Sequence, residues 1–157
     1  MENKTLESLI EMAIKNEEEA YASYMELYGI VADKIAKDTL KFLAEAEEEK
    51  QHKAYLLKYR DGSFRDNALP LTIPVDYKIA EQMDKPEIKA DVSTKEVYLI
   101  AANKELNAYK FYQDLANMHP DGDIKDMLLR MAQQELRHKE KVEYLYANTV
   151  FTQTAGG

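Results

Sequence analysis

Carboxylates and imidazoles stand on the apolar seams of this chain's amphipathic segments, and they do so twice with nearly the same spacing. Glu49-Lys50-Gln51-His52 and Glu135-Leu136-Arg137-His138 are two Glu-x-x-His units in a chain with only three histidines. Three residues apart on a helix, a carboxylate and an imidazole share one face and reach a common point. Each unit follows a Glu-x-x-Ala-x-x-x-Tyr motif, Glu17 to Tyr24 in one case and Glu105 to Tyr112 in the other. The upstream glutamate leads its partner unit by 32 residues (17 to 49) in the first copy and by 30 (105 to 135) in the second. Tyr21 with Tyr109, Leu27 with Leu115, Ala46 with Ala132 and Lys53 with Lys139 extend the match. The chain therefore reads as two copies of one helical hairpin, an internal duplication whose period is too long for a solenoid.

The periodicity predicts four helices. The first runs from about Thr5 to Tyr28, with Leu6, Leu9, Ala13, Ala20, Tyr24, Leu27 and Val31 as its stripe and Glu17 inside it. The second, from about Asp33 to Tyr59, carries Leu40, Leu43, Ala46 and Leu56 around Glu49 and His52, and residues 29 to 33 make the turn between. Ser93-Thr94-Lys95-Glu96 is a capping box that opens the third helix, whose stripe of Val97, Ala101, Ala108, Tyr112 and Leu115 is interrupted by Glu105. His119-Pro120-Asp121-Gly122 closes it, with His119 expected as a surface or capping residue of the turn. The fourth, from about Asp123 to Ala147, has Ile124, Leu128, Met131, Glu135, His138, Val142 and Leu145 on a nearly strict heptad seam.

Residues 61 to 92 contain Gly62, Pro70, Pro74 and Pro86, which exclude a long helix, although 76 to 83 suit a short one. A helix of about 28 residues is about 42 Å long, and a linker of this size spans it. The expected fold is thus all-α: a four-helix bundle of the ferritin-like type, with one long crossover between helices 2 and 3. One domain covers 1–148 (hairpin 5–59, crossover 61–92, hairpin 93–147), and 149–157 reads as a flexible tail. Folding each hairpin at its turn places all six candidate ligands near mid-bundle.

The same glutamates bound the chemistry. A net charge of −8 with no basic stripe argues against nucleic acid. No stretch approaches the roughly 20 apolar residues of a membrane span, and the N-terminus lacks the apolar run of a secretion signal, so a cytoplasmic protein is expected. With no cysteine, thiolate and iron–sulfur sites are excluded on this chain. Runs such as Glu18-Glu19 and Glu47-Glu48 read as solvated faces. Glu17, Glu49, His52, Glu105, Glu135 and His138 do not, because burying them unpaired costs several kcal/mol per ion, and a metal pair removes that cost. Four carboxylates and two imidazoles suit two first-row ions, iron first, then manganese or a mixed pair, and disfavour an all-oxygen magnesium or calcium site. Tyr24 and Tyr112 are candidates to hydrogen-bond the ligand carboxylates. Tyr21, Tyr28, Tyr55 and Tyr109 read as packing, and the seven methionines as core filling.

On these residues the chain, over about 5 to 148, resembles the rubrerythrin-like branch of the ferritin-like superfamily. The resemblance implies that Glu49 and Glu135 bridge two irons, Glu17 and Glu105 are terminal ligands, and each histidine binds one metal. It implies a centre that reacts with hydrogen peroxide or dioxygen while cycling between diferrous and diferric states, often in a homodimer. Rubrerythrins proper add a rubredoxin domain with a four-cysteine iron; here electrons are expected from a separate donor such as a rubredoxin-type protein. They also carry a glutamate one turn after the third-helix ligand that exchanges with a histidine, and Ala108 stands at that position. The alternatives are a ferroxidase, iron carrier or iron sensor, a hydroxylase with an organic substrate, and an interaction bundle with a vestigial site.

Overall fold

Among the described residues, the apolar core divides in two around a layer of ligand-type side chains. The computed structural model describes residues 4–45, 47–64, 68–72, 74–75 and 93–155. In chain order these form β1 (Lys4–Thr5), α1 (Leu6–Ile30), α2 (Lys34–Glu45), α3 (Glu47–Arg60), β2 (Pro74–Val75), α4 (Thr94–Asn117) and α5 (Asp123–Ala155). The architecture is the expected all-α bundle of two hairpins. The described parts of the second expected helix are α2 and α3, and Ala46 between them lies outside the described residues.

Local chemistry accounts for the helix ends. Thr5 caps α1: its hydroxyl accepts from Ser8 N–H at 3.2 Å, while Ser8 Oγ accepts from Thr5 N–H at 2.9 Å. This box uses serine where the usual pattern has glutamate or glutamine, which hides it from motif reading. Ser93 caps α4 by accepting from Glu96 N–H at 3.2 Å, but the return arm differs from the expected box, since the Glu96 carboxylate takes the Ser93 hydroxyl. Gly62, at φ +78°, ends α3 in a conformation glycine adopts without strain, and Ser63 N–H returns to Lys58 O at 3.0 Å. Helix α5 continues to Ala155, past the point where the apolar pattern stops.

The crossover begins by folding onto the N-terminus of α1. Thr5 pairs antiparallel with Pro74, Lys4 pairs with Val75, and Glu7 N–H donates to Leu71 O at 2.9 Å. The short helix expected at 76–83 lies outside the described residues. No helix among the described residues is long and apolar enough to cross a membrane.

One apolar cluster joins Leu6, Leu9 and Ile10 of α1, Leu56 of α3, Phe111 and Leu115 of α4 and Leu128 of α5. The other joins Leu27 of α1, Leu40 and Leu43 of α2, Val97 and Ala101 of α4 and Val142 of α5. On each path along the bundle a ligand candidate separates them: Glu17 between Ile14 and Tyr24, His52 between Ala44 and Leu56, Glu105 between Ala101 and Phe111, and Glu135 with His138 between Ala132 and Val142. The two apolar halves clamp a polar layer and exclude water from it. Tyr21 departs from its expected packing role; it is 47% exposed on the outside of α1.

Candidate metal centre

Glu17 comes from α1, His52 from α3, Glu105 from α4, and Glu135 and His138 from α5, and the structure brings all five together. Glu49 lies on α3 one turn before His52, but its side chain is outside the described residues. Two trios form: Glu17, His52 and Glu135, and Glu105, Glu135 and His138, with the donor atoms of each trio within 4.8 Å of one another. Glu135 belongs to both. Its carboxylate is therefore placed between two positions, each completed by one further glutamate and one histidine.

Both histidines present Nδ1 to the carboxylates. His52 Nδ1 is 3.2 Å from Glu135 Oε1 and 3.6 Å from Glu17 Oε1, and His138 Nδ1 is 3.7 Å from Glu105 Oε2. His52, Glu105, Glu135 and His138 are all buried, and the Glu17 side chain is only 8% exposed. His52 Nδ1, His138 Nδ1 and Glu105 Oε2 have no hydrogen-bond partner. Buried polar atoms without partners are rare because each costs about 1–3 kcal/mol. Three of them converging on one layer call for a shared cation. A first-row ion that holds nitrogen and oxygen donors at about 2.0–2.2 Å separates neighbouring donors by roughly 3 Å, close to the spacings here. The residues fit a pair of such ions.

The tyrosines act across the bundle. Tyr24 O–H donates to Glu105 Oε1 at 2.9 Å, and Tyr112 O–H donates to Glu17 Oε1. Each thus holds the glutamate of the other hairpin. Seven residues from its own helix's glutamate, a tyrosine lies about 10.5 Å away along the axis, so only the facing helix is within reach.

Gln134 was not singled out by sequence, yet His52 Nε2–H donates to its Oε1. Because that oxygen only accepts, Nε2 carries a proton, and in the neutral ring the Nδ1 lone pair is the one left to bind a metal. Burial, the largest influence on His52, acts to lower its pKa; the Glu17 carboxylate, with Gln134 and Glu105, outweighs it and leaves the pKa above the ordinary 6.5. Burial likewise works to raise the Glu105 pKa, but contact with Glu135, the His138 ring and the Tyr24 hydroxyl hold it below the ordinary carboxylate value. The layer concentrates negative charge toward a centre that a cation or protons must neutralise.

His119 is not a surface residue. It is 4% exposed, with Nδ1–H donating to Leu115 O at 2.8 Å and Nε2 accepting from Tyr59 O–H at 2.6 Å. The Tyr59 oxygen in turn accepts from Leu69 N–H at 3.1 Å. His119 therefore caps the end of α4 and ties the crossover to the α4–α5 turn, remote from the polar layer. Ala108 packs against the first apolar cluster and offers no ligand atom.

A family model described as Rubrerythrin matches residues 8–146. No curated protein and no solved structure matches the chain.

Proposed function

Since the chain belongs to the rubrerythrin family, we propose that its buried Glu/His layer holds two iron ions and serves an oxidoreductase that reduces hydrogen peroxide or dioxygen. The observation that carries this reading is the pair of buried trios sharing Glu135, with partnerless donor atoms aimed into both. Glu17 and His52 would hold one ion and Glu105 and His138 the other, with Glu135 and Glu49 available to both. Manganese or a mixed pair fits the same donors. Bound there, the metals supply the electrons that reduce the oxidant to water and recover them from a separate redox protein. The chain fixes the donors in advance. Gln134 sets the His52 tautomer, Tyr24 and Tyr112 hold Glu105 and Glu17 in place, and the two apolar clusters keep bulk water out. A cytoplasmic homodimer is part of the same reading.

Anaerobic purification, metal analysis and multiple-turnover peroxide consumption with an added reductant test it. About two irons per chain and sustained consumption support the enzyme. A single stoichiometric oxidation of added Fe(II), followed by silence, supports a ferroxidase or iron-handling role instead. Ala108 favours that second reading, since it supplies no carboxylate one turn after Glu105 to exchange during turnover. A protein that cannot be loaded with metal overturns both.

A further inference from the structure

The two ligand histidines each have a rear side, and both rear sides approach the same outer face of the bundle. Behind His52 stands Gln134, which lines a surface groove of about 490 Å³ together with Arg130, Gln133, Arg137 and Asp126. Behind His138 stands Phe42 of α2, edge-on with ring centroids 5.9 Å apart, and Phe42 is itself 43% exposed. The Lys141 ammonium covers the Phe42 ring at 3.9 Å. One side chain therefore separates each histidine from this face.

Arg130, Arg137 and Lys141 follow one another along α5 at steps of seven and four, which places them on one stripe. All three are exposed, and none is paired with a carboxylate among the described residues. Asp126 lines the groove with Arg130 and Arg137, and no other of its described lining residues is acidic. In a chain of net charge −8, this is a run of three cations on one helix stripe, beside Gln134, which contacts His52, and Phe42, which packs on His138 and is flanked on α2 by the exposed Asp38 and Glu45. Arg130 and Arg137 are about 10.5 Å apart along the axis, too far for one small anion to bridge. A broad acidic surface meets all three cations at once.

We propose that this face, formed by Arg130, Arg137 and Lys141 around Phe42 and above Gln134, is the docking surface for an acidic one-electron carrier protein. The proposal rests on the redox reading of the metal layer. Each encounter oxidises the carrier by one electron and reduces the metal pair by one, and no atom changes hands. Two encounters supply the two electrons that, with two protons, turn one peroxide into two waters. Transient complexes of this kind bury little surface and depend on charge to form quickly, so a few cations on the rim decide the encounter rate.

The test titrates the metal-loaded protein with a plant-type [2Fe–2S] ferredoxin, an acidic one-electron carrier used as the probe, at low ionic strength. Binding is followed by NMR line broadening, and reduction of the centre by stopped flow. An Arg130→Glu/Arg137→Glu variant is compared with Lys15→Glu/Lys110→Glu, which makes the same change in net charge on α1 and α4. The expected result is about tenfold or greater loss of both affinity and second-order rate in the arginine variant, with a flattened salt dependence. The lysine variant stays within twofold of the parent, and reduction by the small cation of reduced methyl viologen does not slow in either. Equal weakening in both variants, or none in the arginine variant, overturns the assignment. Binding of inorganic phosphate that displaces the ferredoxin at equal stoichiometry overturns it in favour of a small-anion site. Failure of the function is separable: ferredoxin binding that depends on the arginines, with no peroxide consumed, keeps the surface and removes the peroxidase. Peroxide turnover with viologen, alongside ferredoxin binding indifferent to the arginines, does the reverse.

Discussion

Replacing Tyr24 by phenylalanine removes one oxygen from the protein and nothing else. The ring stays in the apolar cluster around Leu27, Leu40 and Leu43. The hydroxyl that is lost donates to Glu105 Oε1 at 2.9 Å, and both residues are buried, at 1% and 2% exposure. Glu105 Oε2 already lacks a hydrogen-bond partner. A hydrogen bond to a charged group contributes about 1.5–3 kcal/mol. Metal-free protein should therefore lose about 2 kcal/mol, which at a urea slope of about 2 kcal/mol per M lowers the unfolding midpoint by about 1 M.

An independent estimate comes from the loaded protein. Partners that hold a ligand in place contribute roughly 10–100-fold to metal affinity. At about 1.4 kcal/mol per factor of ten, that is roughly 1.4–2.8 kcal/mol, the same range. Two assays check the value: urea titration of the metal-free protein by circular dichroism, and competition for the metal with a chelator of known affinity. Tyr144→Phe, at a position 67% exposed, is the control and should change neither. A Tyr24→Phe midpoint within about 0.3 M of the parent, with affinity within twofold, sinks the claim that this hydroxyl holds Glu105.

Three further outcomes follow from the same geometry. Glu135→Ala removes a residue common to both trios and should abolish binding of both ions, whereas His138→Ala should spare one; mass-spectrometric metal counts of the two variants decide it. Gln134→Leu leaves His52 Nε2–H without its acceptor and should weaken metal binding about 10–100-fold, while Gln134→Glu, which restores an acceptor, should not; chelator competition measures both. His119 is held neutral, because burial lowers its pKa more than its bond to Leu115 raises it. The linked stability is fully present above the unfolded value of about 6.5 and is lost as pH falls toward the depressed folded value. Metal-free parent protein should thus lose more stability than His119→Gln between about pH 7.5 and 5.5, and equal losses would refute the neutral assignment.

How much of this was legible in the sequence depends on whether a feature lives on one helix or between two. The stripes, turns and ligand positions are single-helix properties, since an apolar seam broken by Glu17, His52, Glu105 or Glu135 marks where the polar layer must form. The sequence places His119 in a turn as a surface or capping residue, and it does cap α4; its burial is not legible there, because its neighbours Pro120 and Asp121 belong to the turn while its partner Tyr59 is 60 residues away. The crossed bonds of Tyr24 and Tyr112 likewise require the register between hairpins, which periodicity on either one does not contain. Gln134 carries no periodic signal at all; only the approach of α3 to α5 gives it a role.

The same distinction bears on how the two halves have diverged. Duplication places like residues at like positions, and the ligands keep that symmetry: one glutamate and one Glu-x-x-His per hairpin. The groups behind the histidines do not keep it. Gln134, beside one Glu-x-x-His unit, has Glu48 as its counterpart beside the other. His52 is backed by an amide oxygen that accepts its proton, and His138 by the edge of an aromatic ring. A hydrogen-bonded imidazole is a better electron donor to a metal than one packed against a ring, because the acceptor stabilises the positive charge that coordination places on the ring nitrogens. Among the described residues the groups behind the two histidines therefore differ, and two ions bound there would be inequivalent. Divergence could change the groups behind the histidines without removing a ligand, since a change there would adjust one ion and leave both bound.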